Sequence, residues 1–378
     1  MHRKGDTWNE SETYADAVTL RPVRRVTRNA DYNMTPNYHT NTGFSADGEF
    51  LVFVSQWASG SAILRCHVPT GDLTQVSEVY AHAGAPVLAP QSGWAVFAAD
   101  GAVHAVHVHT LEERTLYEAK PHLRIARPSI DGDEQSVVFP LHPLHGEIAA
   151  GCRPSRGELA YFTDHGVSFD IVQVPLAGGE ARVVYHERGC RSSHIPHCPT
   201  DGDLLLIDRD FPPRFHAGSD GATNRIWLLR LSTGELTELP SRDGGTFQVH
   251  CAWTFDGRHV LYHGRSERGG WYIGVTDHEG RVVREYGFHE RDHYGHVSAA
   301  APGRPAIILD GNLTSDLLLW LYYDAEQPRV EVIARHGTDW TGAPGQLAHP
   351  HPLADPTGRW ISFNAAHGKR SDVYVVTL

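Results

Sequence analysis

The segment FSADGEFLVFVS (residues 44–55), followed by AILRCHVPTGDLTQV (residues 62–76), decides how this chain is read. An apolar lead-in meets a D-G turn, a run rich in Val and Phe follows, and a second strand-like run ends at T-G. β-Branched and aromatic residues suit a pleated surface, and turn residues at these offsets punctuate strands. The module recurs. WTFDGRHVLYHGR (residues 253–265) precedes WYIGVTDHEGRVVREY (residues 271–286), and LADPTGRWISFNAA (residues 353–366) precedes DVYVVTL (residues 372–378). Weaker copies are LAPQSGWAVFAADGAVHAVHV (residues 88–108), PTDGDLLLIDRD (residues 199–210) with RIWLLRLSTGELTEL (residues 225–239), and APGRPAIILDG (residues 301–311) with LLLWLYYDAEQPRVEVI (residues 317–333). Helical periodicity is weak throughout, so the chain reads as all-β.

A repeat of roughly 40 to 55 residues holding several short strands is the sequence signature of a β-propeller. The D-G-type turns predict a seven-bladed β-propeller, with blades beginning near Tyr38, Ala81, Ala126, Ser192, Gln248, Tyr294 and Gln346. The third blade carries an insertion at residues 141–156, and the last stops after three strands. An N-terminal strand at residues 18–27 is the expected fourth, which would close the ring and remove free sheet edges. No linker or compositional shift divides the chain, so residues 1–378 read as one domain.

Composition narrows the function. With 40% hydrophobic residues the chain can bury a sizeable core. A net charge of −12 without a basic run argues against nucleic acid as a partner. The start, MHRKGDTWNE, has no apolar core of a secretory signal. The most apolar stretch, residues 81–99, is broken by prolines and glycines and is a poor membrane span. Five cysteines, odd in number and without a C-x-x-C pair, suit a reducing cytoplasm, which is the expected location.

The 26 histidines are the feature to explain. Most read as loop residues, but some fall in register on the repeat. His250, His296 and His349 each precede their D-G or P-x-G turn by six residues, His194 by seven and His39 by eight. His351 follows His349 at i+2, which on a strand puts both rings on one face. Gln346 lies just upstream in GQLAHPHP, where Pro350 and Pro352 stiffen the backbone. The inner strands of a propeller line a shared channel, so imidazoles at this phase would converge. Three His and one Gln (His296, His349, His351 and Gln346) make a site for a borderline divalent cation with open positions, as in a catalytic centre. The bland alternative for each is a hydrogen-bonded interior histidine. Arg225, opening the strand in ATNRIWLLR, is a candidate anion clamp or else a surface ion pair. Arg188 and Arg191 either add positive charge near His194 or are solvated loop residues. There is no G-x-S-x-G, H-E-x-x-H or P-loop.

At these residues the sequence resembles the oligogalacturonate lyase family, polysaccharide lyase family twenty-two. The resemblance is carried by QLAHPHPLADPTG (residues 346–358), RHGTDW (335–340), YGHVSAAAPG (294–303), VHCAWTFDG (249–257), RIWLLRLSTGE (225–235) and RSSHIPHCPTDG (191–202). In the first two hundred residues only the blade rhythm is shared, most clearly in NYHTNTGFSADGEFLVF (37–53). The resemblance implies a seven-bladed propeller and metal-dependent β-elimination of 4-linked oligogalacturonides, a step of pectin breakdown. It implies Mn²⁺ on His296, Gln346, His349 and His351, with His250 as first choice of base. Arg225 is then a carboxylate clamp or the alternative base, and His194 supports the substrate or the leaving oxygen. His39 and Arg188 are further candidate substrate contacts. Two alternatives stay open: a lyase of the same fold acting on another acidic oligosaccharide, and a non-catalytic propeller module of the TolB type.

Overall fold

In a computed structural model of the chain, the described residues are 2–34, 41–143, 168–192, 194–209, 225–239, 247–265, 270–289, 295–311, 315–343 and 345–378. Among them the only helical element is one 3-10 turn, Gly345–Ala348. The all-β expectation agrees with this.

Consecutive stretches of chain fold into antiparallel meanders. Val87–Leu88, Trp94–Ala99, Ala102–His107 and Glu113–Glu118 pair in chain order. The pattern repeats with His197–Cys198, Asp201–Asp208, Ile226–Arg230 and Glu235–Glu238, then with Phe247–Trp253, His259–Arg265, Trp271–Asp277 and Val282–Phe288. Val297–Ala299, Ala306–Leu309, Leu317–Tyr322 and Arg329–Arg335 form the next. In a five-stranded sheet, Leu123–Ile125 and Ser129–Ile130 both pair with Ser136–Pro143, which leads to Ser168–Pro175 and Arg182–Arg188. Residues 141–143, expected within an insertion, instead finish the strand Ser136–Pro143, and residues 144–156 lie outside the described ones.

The two ends of the chain meet in one ten-stranded sheet. Pro22–Arg25 pairs antiparallel with the last strand, Arg370–Thr377, through Val23 and Val376. The strand is shorter than residues 18–27. Asp16 folds residues 16–21 into a turn, its Oδ1 accepting the backbone N–H groups of Val18 and Thr19. Those donors are then unavailable to a ladder. Thr7–Asn9 crosses to another strand, Asp72–Gln75, so the N-terminal segment fastens both halves of this sheet.

The sheets bury both faces, which is why the strands read as continuous apolar runs rather than alternating ones. Val52, Val54 and Ile63 pack on Phe97 and Val106 of the next sheet. Val96 and Val103 pack on Val137, Phe139 and Val172 of the one after. The succession returns to its start, where Phe44, Phe53 and Leu64 pack on Val373 and Val375. The outcome is a propeller-like succession of sheets packed face to face.

Candidate metal and substrate centre

His296, His349 and His351 converge from two adjacent sheets, with one ring nitrogen of each within 4.8 Å of the others. Their ring centroids stand 4.3 Å (His296 to His351), 5.2 Å (His296 to His349) and 5.6 Å (His349 to His351) apart. Each is held differently. His296 gives its backbone N–H to Asp310 Oδ1 at 2.6 Å and pairs its Nδ1 with Oδ2 at 2.7 Å. A carboxylate only accepts, so Nδ1 donates this hydrogen bond, and Nε2 is the nitrogen that could serve a cation. Burial pushes the Asp310 carboxyl up, but the charge and hydrogen bonds of His296 outweigh it and hold Asp310 below its usual range.

His351 does not share a strand face with His349. Pro350 and Pro352 cannot donate to a ladder, and the chain passes from the Gly345–Ala348 turn into a left-handed residue, His351, at φ 43°. Its N–H reaches Asp310 Oδ2 at 3.3 Å. One buried carboxylate therefore fixes two of the three histidines. His349 packs against Trp340, with ring centroids 5.1 Å apart, and its Nδ1 is buried without a hydrogen-bond partner among the described residues. Burial, and then the charge of His296, push the His349 imidazole down to about 4. It stays neutral, as a ligand must. Gln346 lies in the 3-10 turn leading to His349, and its side chain is outside the described ones.

Three imidazoles at this separation, one with a carboxylate behind it, are a donor set that could hold a divalent cation and keep open positions. His250 adjoins it, its ring 4.1 Å from that of His296. It occupies a bulge in Phe247–Trp253 at φ 51°, a conformation that non-glycine residues rarely adopt outside functional or tightly constrained sites. Its Nδ1 is hydrogen-bonded to Nε2 of the buried His263.

A second group lies on the sheet that begins at His197. Asp208, 1% exposed in its side chain, takes Arg225 Nη2 on Oδ2 at 2.6 Å and His194 Nδ1 on the same oxygen at 2.9 Å. Its Oδ1 accepts the His194 N–H at 2.9 Å and the Ser192 hydroxyl at 2.7 Å. Burial works to raise the Asp208 carboxyl, yet Arg225, His194 and Ser192 together hold it far below its usual range. Arg127 Nη1 lies 3.0 Å from His194 Nε2. A guanidinium only donates, so His194 is the neutral Nδ1–H tautomer. Burial keeps it so, against the pull of Asp208.

His194 and Arg127 face a cavity of about 870 Å³. Its wall runs through Tyr32, His82, Asp100 and Arg124, and ends at Leu347, two residues before His349. The structure thus brings together His296, His349, His351 and His250 in one place, and Arg225 with His194 in another. Arg188 is exposed at the end of the outer strand Arg182–Arg188 and does not line the cavity. His39 lies outside the described residues. Asp310, Asp208, Arg127 and His263 went unnoticed in the sequence. One signal was present: both orienting aspartates stand fourteen residues after their histidine, His194 to Asp208 and His296 to Asp310.

Fold and site together define a propeller-like protein with a three-histidine centre beside a guanidinium-lined cavity. No family model matches the sequence, and no curated protein matches it. Among solved structures, the chain is similar to an oligogalacturonate lyase in complex with manganese, with a TM-score of 0.81 and 20% identity, covering 100% of this chain and 98% of that one. It is similar also to an oligogalacturonate lyase from Vibrio parahaemolyticus, with a TM-score of 0.80 and 18% identity, covering 99% and 98%. A chain of the mitotic checkpoint complex matches at a TM-score of 0.59 and 11% identity, covering 100% and 94%. The protein has the fold of the oligogalacturonate lyases. That the third match comes from an unrelated setting leaves function to be argued from the site.

Proposed function

We propose that this protein is an oligogalacturonate lyase, cleaving 4-linked oligogalacturonides by β-elimination in pectin breakdown. The observation that carries this reading is the buried His296, His349 and His351 cluster, backed by Asp310, within a fold shared end to end with a manganese-bound oligogalacturonate lyase. The residues fit the metal: the neutral His349 has a buried Nδ1 without a hydrogen-bond partner among the described residues, and His296 turns its Nδ1 to Asp310. His296, His349, His351 and Gln346 would hold Mn²⁺, which supplies Lewis-acid neutralisation of the substrate carboxylate.

The residues of the chain perform the rest. The C5 proton of a uronide lies α to the carboxylate and is removable only when that charge is offset. Arg225, oriented by Asp208, offsets it as a carboxylate clamp. His250, beside the cluster and tethered through His263, takes the C5 proton. The C5–H electron pair forms the C4–C5 double bond, the C4–O bond breaks, and the departing oxygen takes a proton from water. His194, its tautomer fixed by Asp208, holds the substrate at the cavity edge with Arg127. Should His250 prove dispensable, Arg225 is the base. His39 remains an outer substrate contact in this reading.

We infer also a single domain of seven blades. Supporting this, the stretches 41–46, 87–91, 130–134, 197–199, 253–255, 299–302 and 353–356 all line one axial cavity of about 400 Å³. In this reading Pro22–Arg25 closes the last blade, which is favoured by its pairing with Arg370–Thr377. Cys66, Cys190, Cys198 and Cys251, all buried and unpaired, support a reducing compartment such as the cytoplasm. Nucleic acid and membranes have no part in this reading. Among the described residues, no helix is long and apolar enough to cross a membrane.

The test is incubation with digalacturonate and trigalacturonate in the presence of Mn²⁺, following the ultraviolet absorbance of the new double bond conjugated to the carboxylate. Rising absorbance is expected. No rise on any oligogalacturonide, but a rise on glucuronate- or rhamnose-containing oligomers, would transfer the reading to another acidic sugar.

A further inference from the structure

The cavity of about 400 Å³ shares no wall residue with the larger one that His194 and Arg127 face. It lies where the short strands Val87–Leu88, Ser129–Ile130, His197–Cys198 and Leu353–Ala354 give way to their turns. Its volume is within the range of pockets that hold a small molecule.

Its wall is built of core side chains. Val87, Leu88, Trp253 and Leu353 are each 5% exposed or less, so packing already holds them in place. Trp253 donates its Nε1–H to the Pro196 carbonyl at 3.0 Å, which fixes the indole. Pro90, Pro199, Pro302 and Pro356 stiffen the turns between. A wall formed in advance costs a ligand little ordering. No Lys or Arg lines it, and its two carboxylates are committed to the backbone. Asp131 accepts the N–H groups of Gln135 at 2.7 Å and Ser136 at 3.1 Å. Glu134 accepts those of Gln91 and Ser92, each at 2.7 Å. An anionic sugar meets negative charge here and no cation to offset it, so the two cavities suit different ligands.

One polar side chain of the wall is left over. His197 is 4% exposed, and the Ser129 hydroxyl lies 3.0 Å from its backbone nitrogen and 3.3 Å from its Nδ1. Burial pushes the imidazole down to about 4, so the ring is neutral at ordinary pH. Its Nε2 is buried and has no hydrogen-bond partner among the described residues. A buried polar atom left unmet is costly, and a ligand that meets it is favoured. We propose that this cavity is a second binding site, for a small, uncharged and mainly apolar molecule with one hydrogen-bonding group that meets His197 Nε2. The site takes no part in the uronide reading and does not rest on it.

The experiment titrates the protein with N-phenylnaphthylamine, an uncharged fluorescent probe with one N–H, and with its anionic relative anilinonaphthalene sulfonate. The uncharged probe should bind saturably, one per chain, and the sulfonate at least about ten-fold more weakly. Ala46→Phe fills the cavity from a turn remote in sequence from the metal histidines, whereas Ala299 and Leu353 closely follow His296 and His351. It should weaken the uncharged probe about ten-fold or more. His197→Leu removes the one hydrogen bond and should weaken it roughly three- to ten-fold. Thermal melts without probe check that both variants fold. Equal affinity of wild type and folded Ala46→Phe, or of the charged and uncharged probes, would overturn the site. Displacement of the probe by digalacturonate would place it in the larger cavity and overturn the site as well. Should Ala46→Phe fail to fold, undiminished affinity in His197→Leu is the overturning result.

Discussion

His296 and Asp310 are joined twice, through the backbone N–H at 2.6 Å and the ring Nδ1 at 2.7 Å, and His194 and Asp208 repeat the arrangement at 2.9 Å and 2.9 Å. The same fourteen-residue step separates both pairs. In one, the histidine meets two further imidazoles; in the other, the histidine meets Arg127 while its aspartate takes Arg225. A single local device, a buried aspartate that fixes ring direction, thus recurs beside the three-histidine cluster and beside the arginines.

Asp310→Asn keeps the size of the side chain and removes its charge. Metal affinity, measured by calorimetric titration with Mn²⁺, should fall about 10- to 100-fold, the usual cost of losing a carboxylate behind a ligating histidine. Unchanged affinity would show that His296 is not a ligand.

Replacing His349 and His351 together by Ala should abolish bound Mn²⁺ in elemental analysis while the β-rich circular dichroism persists. Retained stoichiometric metal would place the ligands elsewhere.

His250→Ala should keep metal and digalacturonate binding and lose turnover. Its left-handed backbone makes a second, independent prediction. At φ 51° an alanine is strained and a glycine is not. His250→Gly should therefore be about 1 kcal/mol more stable than His250→Ala in urea denaturation, although Gly costs stability at ordinary positions.

Gly295 has φ 78°, and a Cβ placed on it would lie 1.9 Å from Asp310 Oδ1 and 2.5 Å from the Gly311 carbonyl. Gly295→Ala must displace the carboxylate that orients His296. Both stability and Mn²⁺ binding should fall, the former by roughly 2 kcal/mol or more in denaturant titration.

Stability should depend on pH through buried neutral histidines. Burial pushes His142, His197 and His336 each down to about 4, against about 6.5 in the unfolded chain. Between those values the unfolded state binds more protons, so stability rises with pH there. It is fully present above about pH 6.5 and is lost as pH falls toward 4. Thermal melts across this window should show the decline, and His197→Gln should make it shallower.

The all-β character and the repeat were legible because turn pairs and apolar runs are local, and each meander is built from neighbouring residues. The histidines in register were legible for a related reason: equivalent positions on successive repeats face the same axis. Other histidines carry no such signal, and packing explains them. His107 accepts the N–H of Thr110 at 3.1 Å and meets the edge of Trp94, while His104 lies against Phe97. Their neighbours come from adjacent strands, so spacing alone says nothing about them. The extent of the N-terminal strand was misjudged because the Asp16 turn competes for the same backbone donors.

The sequence by itself determined a β-repeat chain and a set of candidate metal histidines, with Arg225 a candidate for an anion or an ion pair, since these follow from residue type and period. Only the tertiary structure decided which partners complete them. Asp310 fixes His296 across 14 residues and His351 across 41, His263 reaches His250 through a bulge, and Arg127 meets His194 across 67. Such pairings depend on how sheets pack around an axis and on two left-handed histidines, and neither is encoded in local spacing.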